Sequence, residues 1–154
     1  MRNRAGGILI DNGKLLLMHR IKTVDGKTRE YYVVPGGGIE EGETLEDATK
    51  RELKEEIGID VELLSGNPLL SLKEERGTQY FTLVKRIKGE IGTGTGPEFT
   101  DESYANKGFY GVEMIDIKDI INGTINMVPK EIKEEFIDIV KKYDIDNLNS
   151  SDLV

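Results

Sequence analysis

Three glutamates, Glu52, Glu55 and Glu56, stand at positions i, i+3 and i+4 of a stretch with helical periodicity. This spacing projects their side chains from one side of a helix, where they can meet a single ligand. Two carboxylates about 5 Å apart repel each other by roughly 3 kcal/mol at an effective dielectric constant near 20. The group must therefore protonate, pair with a basic side chain or bind a metal ion. The neighbouring cations Arg51 and Lys54 offset only part of the charge.

A second stretch near the C-terminus repeats this spacing in Glu131, Glu134 and Glu135. There the apolar stripe lies apart from most of the acids, so that set is expected to face solvent. In the central stretch, Glu52 and Glu56 instead fall within the arc of the apolar residues, where burial is expected. Acids in that position need a compensating partner, which favours a ligand site over a solvated acidic face.

The chemistry of the donors indicates the kind of metal. Oxygen ligands, in a chain with one histidine and no cysteine, favour Mg²⁺ or Mn²⁺ over zinc. Magnesium usually shares carboxylates with substrate phosphates and retained waters, so the implied ligand is a phosphate compound. A formal net charge of −8 would repel such an anion. A metal ion bound between the carboxylates and the phosphate would offset this repulsion.

The elements that must position these acids are those of an α/β sandwich with a mixed sheet. Helices are predicted over 44–57, where Gly58 is the C-terminal cap, and over 130–143 after Pro129, with a short turn or helix at 117–121. A long polar loop is predicted over 88–108. Strands are predicted at 5–10, 14–21, 30–34, 60–64, 69–75, 78–87 and 109–117, with an Asn-Gly turn joining the first two.

Length and composition predict one domain over residues 1–143 and a frayed tail over 144–154. The negative charge argues against binding to nucleic acid or to anionic lipid. The N-terminal apolar run is too short for a signal peptide or a membrane span. The absence of cysteine fits a reducing compartment, so a cytoplasmic location is the default expectation.

From Gly37 the chain reads Gly, five residues, Glu43, seven residues, then Arg51-Glu52-Leu53-Lys54-Glu55-Glu56-Ile57-Gly58-Ile59. This pattern resembles the signature of the Nudix hydrolases at every fixed position over 37–59, and the preceding Val-Val-Pro-Gly-Gly and the strand order are also similar. The resemblance implies an α/β/α sandwich and an enzyme that uses divalent cations and water to cleave a nucleoside diphosphate linked to another group.

Site roles follow from the resemblance, residue by residue. Glu43 and Arg51 are expected to form an ion pair that fixes the loop to the helix, a supporting role. The expected metal ligands are Glu52, Glu55 and Glu56, with the Gly37 backbone carbonyl as an additional one. The general base stays open, because similar enzymes use either the first helix glutamate, Glu52, or a loop carboxylate, for which Glu98 and then Glu102 are the candidates.

Substrate contacts are less constrained by the resemblance. His19, Arg20 and Tyr32 are candidates to touch a phosphate or base, and Tyr80, Phe109 and Tyr110 are further rings that could stack a base. Many relatives carry tryptophan where this chain has Tyr32, which weakens an inference about base stacking. The expected substrate is a small nucleoside diphosphate or triphosphate derivative. The alternative function is a catalytically silent domain that senses a nucleotide or contacts a protein. Within the enzyme class, a triphosphatase and a dinucleotide or ADP-sugar hydrolase both stay open. The oligomeric state is also open, with a homodimer as one candidate because many relatives dimerise.

Overall fold

The computed structural model describes residues 2–92 and 108–154, in which two β-sheets lie between helices. No described helix is long and apolar enough to cross a membrane. The elements are β1 (Arg4–Ile8), β2 (Ile10–Asp11), β3 (Lys14–Val24), β4 (Lys27–Val33), β5 (Gly36–Gly38), α1 (Leu45–Ile57), β6 (Asp60–Leu63), β7 (Leu70–Glu74), β8 (Gly77–Lys88), β9 (Phe109–Asp116), α2 (Ile117–Ile121), α3 (Lys130–Val140) and two 3-10 turns, Ile145–Asn147 and Ser150–Leu153.

Sheet I is mixed and sheet II is antiparallel. Sheet I has the order β5-β1-β8-β6, with β7 also paired to β8, and only its β1 and β8 run parallel. Sheet II has the order β2-β3-β4, with β9 also paired to β3. One core packs against α1 and includes Leu53 and Ile57, and a second packs against α3 and includes Ile132 and Phe136. The α/β sandwich with a mixed sheet is confirmed, and sheet II is an addition to it.

The predicted single strand over 5–10 is wrong, because the chain changes sheets at Leu9. Ile8 ends β1 in sheet I, and Ile10 begins β2 in sheet II. Ile8 and Ile10 belong to the α3 core while Leu9 belongs to the α1 core, so an unbroken apolar run conceals the switch. The predicted Asn-Gly turn is confirmed: Asn12 and Gly13 both have positive φ, 47° and 78°, and join β2 to β3.

The polar stretch over 22–28, which lies outside the predicted strands 14–21 and 30–34, continues the β3–β4 hairpin. The ladder runs from Met18 opposite Val33 to Val24 opposite Lys27. Asp25 and Gly26 form the turn with φ of 53° and 75°, the conformation that a two-residue hairpin turn requires. The hairpin therefore extends beyond both cores.

Helix α1 ends at the predicted cap, Gly58, and begins one residue later than predicted, because Thr44 is its N-cap. The Thr44 hydroxyl accepts a hydrogen bond from the Asp47 N–H at 3.1 Å, and Gly58 ends the helix in the left-handed region at φ 87°. Leu53 packs against Gly7 of β1, where a Cβ would lie 2.8 Å from a Leu53 methyl group. This close contact sets the rotation of the helix over sheet I.

The C-terminal tail is ordered, so the prediction that 144–154 frays is wrong. The Leu148 carbonyl accepts from the Gly13 N–H at 2.9 Å, and the Asn149 side chain accepts from the Asn12 N–H at 2.9 Å. Ser150 is buried, and its hydroxyl accepts from the Ile10 N–H at 2.7 Å. These partners lie at the opposite end of the sequence, so the tail's composition gives no sign of them. The helix before it also ends earlier than predicted, at Val140.

Replacing Ser150 with alanine is expected to lower the free energy of unfolding by about 1–3 kcal/mol, because the buried Ile10 N–H loses its acceptor. Chemical denaturation of the variant beside Ser151→Ala provides the measurement, since Ser151 is exposed and should be neutral. Equal stability of the two variants would show that the tail does not support β2.

Candidate functional site

Helix α1 turns two of its three clustered acids toward sheet I. Glu52 and Glu56 are each 8% exposed, while the Glu55 side chain is 42% exposed. The similarly spaced acids of α3, Glu131, Glu134 and Glu135, are all exposed. The predicted contrast between the two sets is confirmed in burial. Two carboxylates are thus held out of water, a cost that a bound cation would offset.

The backbone at Gly37 lies directly against the Glu52 carboxylate. Gly37 is in β5, opposite Ala5 of β1, and is buried. A Cβ placed there would overlap the carboxylate carbon and both oxygens of Glu52. This approach to the Glu52 carboxylate, rather than the backbone conformation, is the reason that favours glycine here, since its φ is not in the left-handed region. The backbone of β5 and the Glu52 carboxylate therefore form one oxygen-rich surface.

Arg51 ties the loop to the helix. Its Nε donates to Glu43 Oε2 at 2.7 Å and its Nη2 donates to Glu43 Oε1 at 3.0 Å, a bidentate pair. Nη2 also donates to the Gly38 carbonyl at 2.9 Å. Nη1 donates to Glu52 Oε1 at 2.8 Å and to Glu55 Oε2 at 3.3 Å. The Arg51 guanidinium thus contacts the end of β5 at Gly38, the loop residue Glu43, and the helix acids Glu52 and Glu55.

The ion pair shifts both of its members' pKa values. Hydrogen bonds from Arg51 first, and from the Glu40 backbone N–H second, lower the pKa of Glu43 to about 2. Hydrogen bonding to Glu43 is the largest cause that raises the pKa of Arg51. Both groups therefore stay charged at neutral pH, so the loop remains fixed to the helix.

The donors fit a hard divalent cation. All are oxygens, two come from buried carboxylates, and a single guanidinium faces the three carboxylates of Glu43, Glu52 and Glu55, which leaves negative charge in excess. In the part of the chain that the structure describes, no three acidic or histidine side chains converge closely enough to hold an ion. The cation that contacts Glu52 and Glu55 in this structure is Arg51.

Glu56 lines a cavity of about 140 Å³ between α1, the sheets and the start of α3. Among the described residues, its wall combines apolar side chains, which include Val33 and Tyr110 from sheet II, with the polar side chains of Arg4 and Gln79. Arg4 and Gln79 are register partners on the parallel strands β1 and β8, a long-range pairing that no local pattern signals. The cavity places apolar side chains and the Arg4 cation beside Glu56, a combination that suits the binding of an organic phosphate.

Two of the three residues predicted to contact substrate, His19 and Tyr32, do not line the cavity beside Glu56. Their rings stack with centroids 4.2 Å apart. His19 Nε2 lies 2.8 Å from a Glu30 carboxylate oxygen, and its Nδ1 contacts Glu113. These two rings are therefore engaged with each other and with sheet II, so the cavity gives no support to their role in substrate binding.

Arg20 lies on the other face of β3, over the ring of Tyr110 at 4.4 Å from Cζ to the centroid. Tyr110, one of the candidate rings, lines the cavity beside Glu56, and it connects Arg20 to that cavity. Glu98 and Glu102 lie outside the described residues.

The Glu43–Arg51 pair should make stability depend on pH. Because the folded-state pKa of Glu43 is about 2 against an ordinary 4.5, its contribution is complete above about pH 4.5 and is lost as the pH falls toward 2. The difference in melting temperature between the wild type and Glu43→Gln is expected to be largest near pH 6 and to shrink steadily below pH 4.5. Glu46→Gln, which removes an exposed pair with Lys50, should show little difference at any pH. A Glu43→Gln difference that stays constant down to pH 3 would contradict the assignment.

Comparison with known proteins places this arrangement in a family. A profile of the NUDIX domain matches residues 1–119. ADP-ribose pyrophosphatase of Methanocaldococcus jannaschii is 25% identical over 133 residues, which are 86% of this chain and 59% of that protein. 8-oxo-dGTP diphosphatase of Escherichia coli is 36% identical over 87 residues, which are 55% of this chain and 66% of that protein. The chain therefore spans less than two thirds of the length of these relatives.

Solved structures agree on the fold. A hydrolase of the NUDIX family from Clostridium perfringens has a TM-score of 0.61 at 18% identity, with 90% of this chain and 97% of that chain covered. A NUDIX hydrolase from Nitrosomonas europaea has a TM-score of 0.62 at 18% identity, with 88% and 67% covered. With the family profile matching most of its length and the signature acids set on a capped helix, the chain belongs to the NUDIX family.

Proposed function

We propose that this chain is a pyrophosphohydrolase that uses Mg²⁺ or Mn²⁺ and water to cleave the diphosphate bond of a nucleoside diphosphate linked to another moiety. The observation that carries the proposal is the burial of two helix carboxylates, Glu52 and Glu56, with Glu52 set against the Gly37 backbone, in a NUDIX chain. Two relatives named for the hydrolysis of nucleotide derivatives, an ADP-ribose pyrophosphatase and an 8-oxo-dGTP diphosphatase, support the reaction class.

In this proposal the metal ligands are the Gly37 carbonyl and the carboxylates of Glu52, Glu55 and Glu56. A bound divalent cation supplies neutralisation of the diphosphate and polarisation of its oxygens. Arg51 orients the ligands, because it contacts Glu52 and Glu55 while Glu43 holds its other edge. Glu52 and Glu55 are thus held beside each other by one guanidinium, and the carboxylates still have to converge when the cation binds.

Glu52 is the proposed general base, which takes the proton of the attacking water. Its Oε1 accepts from Arg51, and this contact fixes the carboxylate beside the Gly37 backbone. Glu98 is the second candidate. If Glu52 is the base, Glu98→Gln should keep nearly full turnover while Glu52→Gln loses it; loss of turnover in Glu98→Gln with metal affinity retained would transfer the role to Glu98.

The substrate is proposed to be a small molecule whose apolar part enters the cavity lined by Val33 and Tyr110, while its diphosphate faces Glu56. The test is Mg²⁺-dependent turnover of a panel of dinucleotides, nucleoside diphosphate sugars and nucleoside triphosphates, with products identified by ³¹P NMR. Reaction in H₂¹⁸O should place the label on a phosphate product. Tight binding of one nucleotide without turnover of any member of the panel would instead support the silent sensor.

A further inference from the structure

The β3–β4 hairpin has two chemically different faces. Strand alternation and the register put Arg20, Lys22, Lys27 and Arg29 on one face, which we call the basic face. Glu30 lies on the opposite face, where it pairs with His19. In a chain of net charge −8, four cations are thus grouped on one surface. In the described ranges 2–92 and 108–154, none of the four forms an ion pair.

Two tyrosines organise the arginines of the basic face. The Arg29 guanidinium lies over the Tyr31 ring at 4.8 Å from Cζ to the centroid, and Arg20 lies over Tyr110 at 4.4 Å. Stacking holds a guanidinium by its plane and leaves the N–H groups at its edge available to an anion. The fixed fork of an arginine matches the oxygens of a phosphate group. The arginines are therefore preorganised for phosphate.

The basic face also encloses space. A cavity of about 370 Å³ is lined by Lys22, Val24, Lys27, Arg29 and Tyr31. Among the residues described, no carboxylate lines it. Three positive charges around a cavity with no described acid of its own favour an anionic ligand over a neutral one.

The basic face continues to the cavity beside Glu56. Tyr110, which carries Arg20, lines that cavity, and so does Val33, two residues after Tyr31 on β4. At a strand rise of about 3.3 Å per residue, Arg29 lies about 13 Å along β4 from Val33. Arg20 is the register partner of Tyr31, so the two stacked pairs are adjacent. A ligand held at Glu56 can thus extend along the strands onto the cations.

We propose that the basic face is a second anion-binding site, and that it holds a phosphate group of the nucleotide substrate that lies outside the cleaved diphosphate. The assignment to a substrate rests on the proposed function, whereas the anion site itself does not. The site counters the repulsion that a chain of net charge −8 exerts on such a ligand. The basic face would favour a nucleotide that carries one phosphate group in addition to the cleaved diphosphate. The same nucleotide without that additional phosphate would bind more weakly.

Binding of adenosine 2′,5′-bisphosphate, followed by isothermal titration calorimetry at low salt, tests the site without turnover, because this probe has no anhydride bond. The full-length triple variant Lys22→Gln, Lys27→Gln, Arg29→Gln is expected to bind it about tenfold more weakly than the wild type, with a shallower dependence on salt. Equal affinity of the variant and the wild type, or no binding by the wild type, would overturn the proposal. Binding of a short single-stranded RNA alone would also overturn it, in favour of a macromolecular ligand.

A matched control removes the same charges elsewhere. Lys73, Arg76 and Lys142 are exposed, and their replacement by glutamine also deletes two lysines and one arginine. This control should bind the probe as the wild type does; weakening equal to that of the first triple variant would mean that only net charge matters and would refute a site.

The substrate assignment has its own readout, the ratio of kcat/KM for 2′-phospho-ADP-ribose to that for ADP-ribose. The ratio should fall about tenfold in the basic-face variant, through KM, and stay unchanged in the control. An unchanged ratio would overturn the substrate assignment. If neither compound nor any other diphosphate is hydrolysed while the calorimetry behaves as expected, the proposed function fails and the anion site stands.

Discussion

Glu56→Gln is expected to lower Mg²⁺-dependent hydrolysis by about a hundredfold to a thousandfold, since it removes one negative ligand and keeps the shape of the side chain. Glu56 is 8% exposed and lies one turn from Glu52, so its carboxylate stands beside the other buried acid of the helix. Turnover at saturating Mg²⁺ measures the effect, and circular dichroism confirms that the variant is folded.

The C-terminal helix provides the control for this variant. Glu135 holds the equivalent place in the spacing of α3 and is exposed. Glu135→Gln should leave turnover unchanged. It should change the free energy of unfolding by less than about 0.5 kcal/mol. If Glu56→Gln retained full turnover, Glu56 would be a structural acid and the proposed ligand set would have to be redrawn.

Gly37→Ala is expected to reduce turnover at least about tenfold and to destabilise the chain by about 1–3 kcal/mol. The alanine Cβ would overlap the Glu52 carboxylate, so either β5 or Glu52 must move. Gly66→Ala is the matched control, because a Cβ there meets nothing within 4 Å. Kinetics and thermal denaturation of both variants give the comparison.

Combining Gly37→Ala with Glu52→Asp tests whether overlap with the Glu52 carboxylate is what destabilises the Gly37→Ala variant. Glu52→Asp withdraws the carboxylate by one methylene group, so Gly37→Ala should cost less stability in the Glu52→Asp background than in the wild type. Additive effects of the two substitutions would show that the Gly37 backbone does not depend on the position of Glu52.

Local sequence patterns predicted the central part of the site because its geometry is local. The burial of Glu52 and Glu56 follows from helical periodicity, and the limits of α1 follow from a threonine and a glycine at its ends. The contrast with the exposed acids of α3 could be predicted for the same reason. Within one helix, sequence spacing and spatial position are nearly the same information.

The features that the sequence did not reveal depend on distant contacts. Nothing in the apolar run around Leu9 marks a change of sheet, and nothing in the tail marks the bond between Ser150 and Ile10. Arg4 and Gln79 meet only through the pairing of β1 with β8. The hairpin extension is different, because the turn at Asp25 and Gly26 was a recognisable hairpin signal set within polar residues.

The most direct test of the central claim is the affinity for Mn²⁺, measured by electron paramagnetic resonance without substrate. We predict that Glu55→Gln combined with Glu56→Gln weakens Mn²⁺ binding at least about tenfold relative to the wild type. The same pair of changes at Glu134 and Glu135, which are exposed on α3, should leave it unchanged. Equal Mn²⁺ affinity in the wild type and both double variants would contradict the claim that the acids of α1 hold a divalent cation.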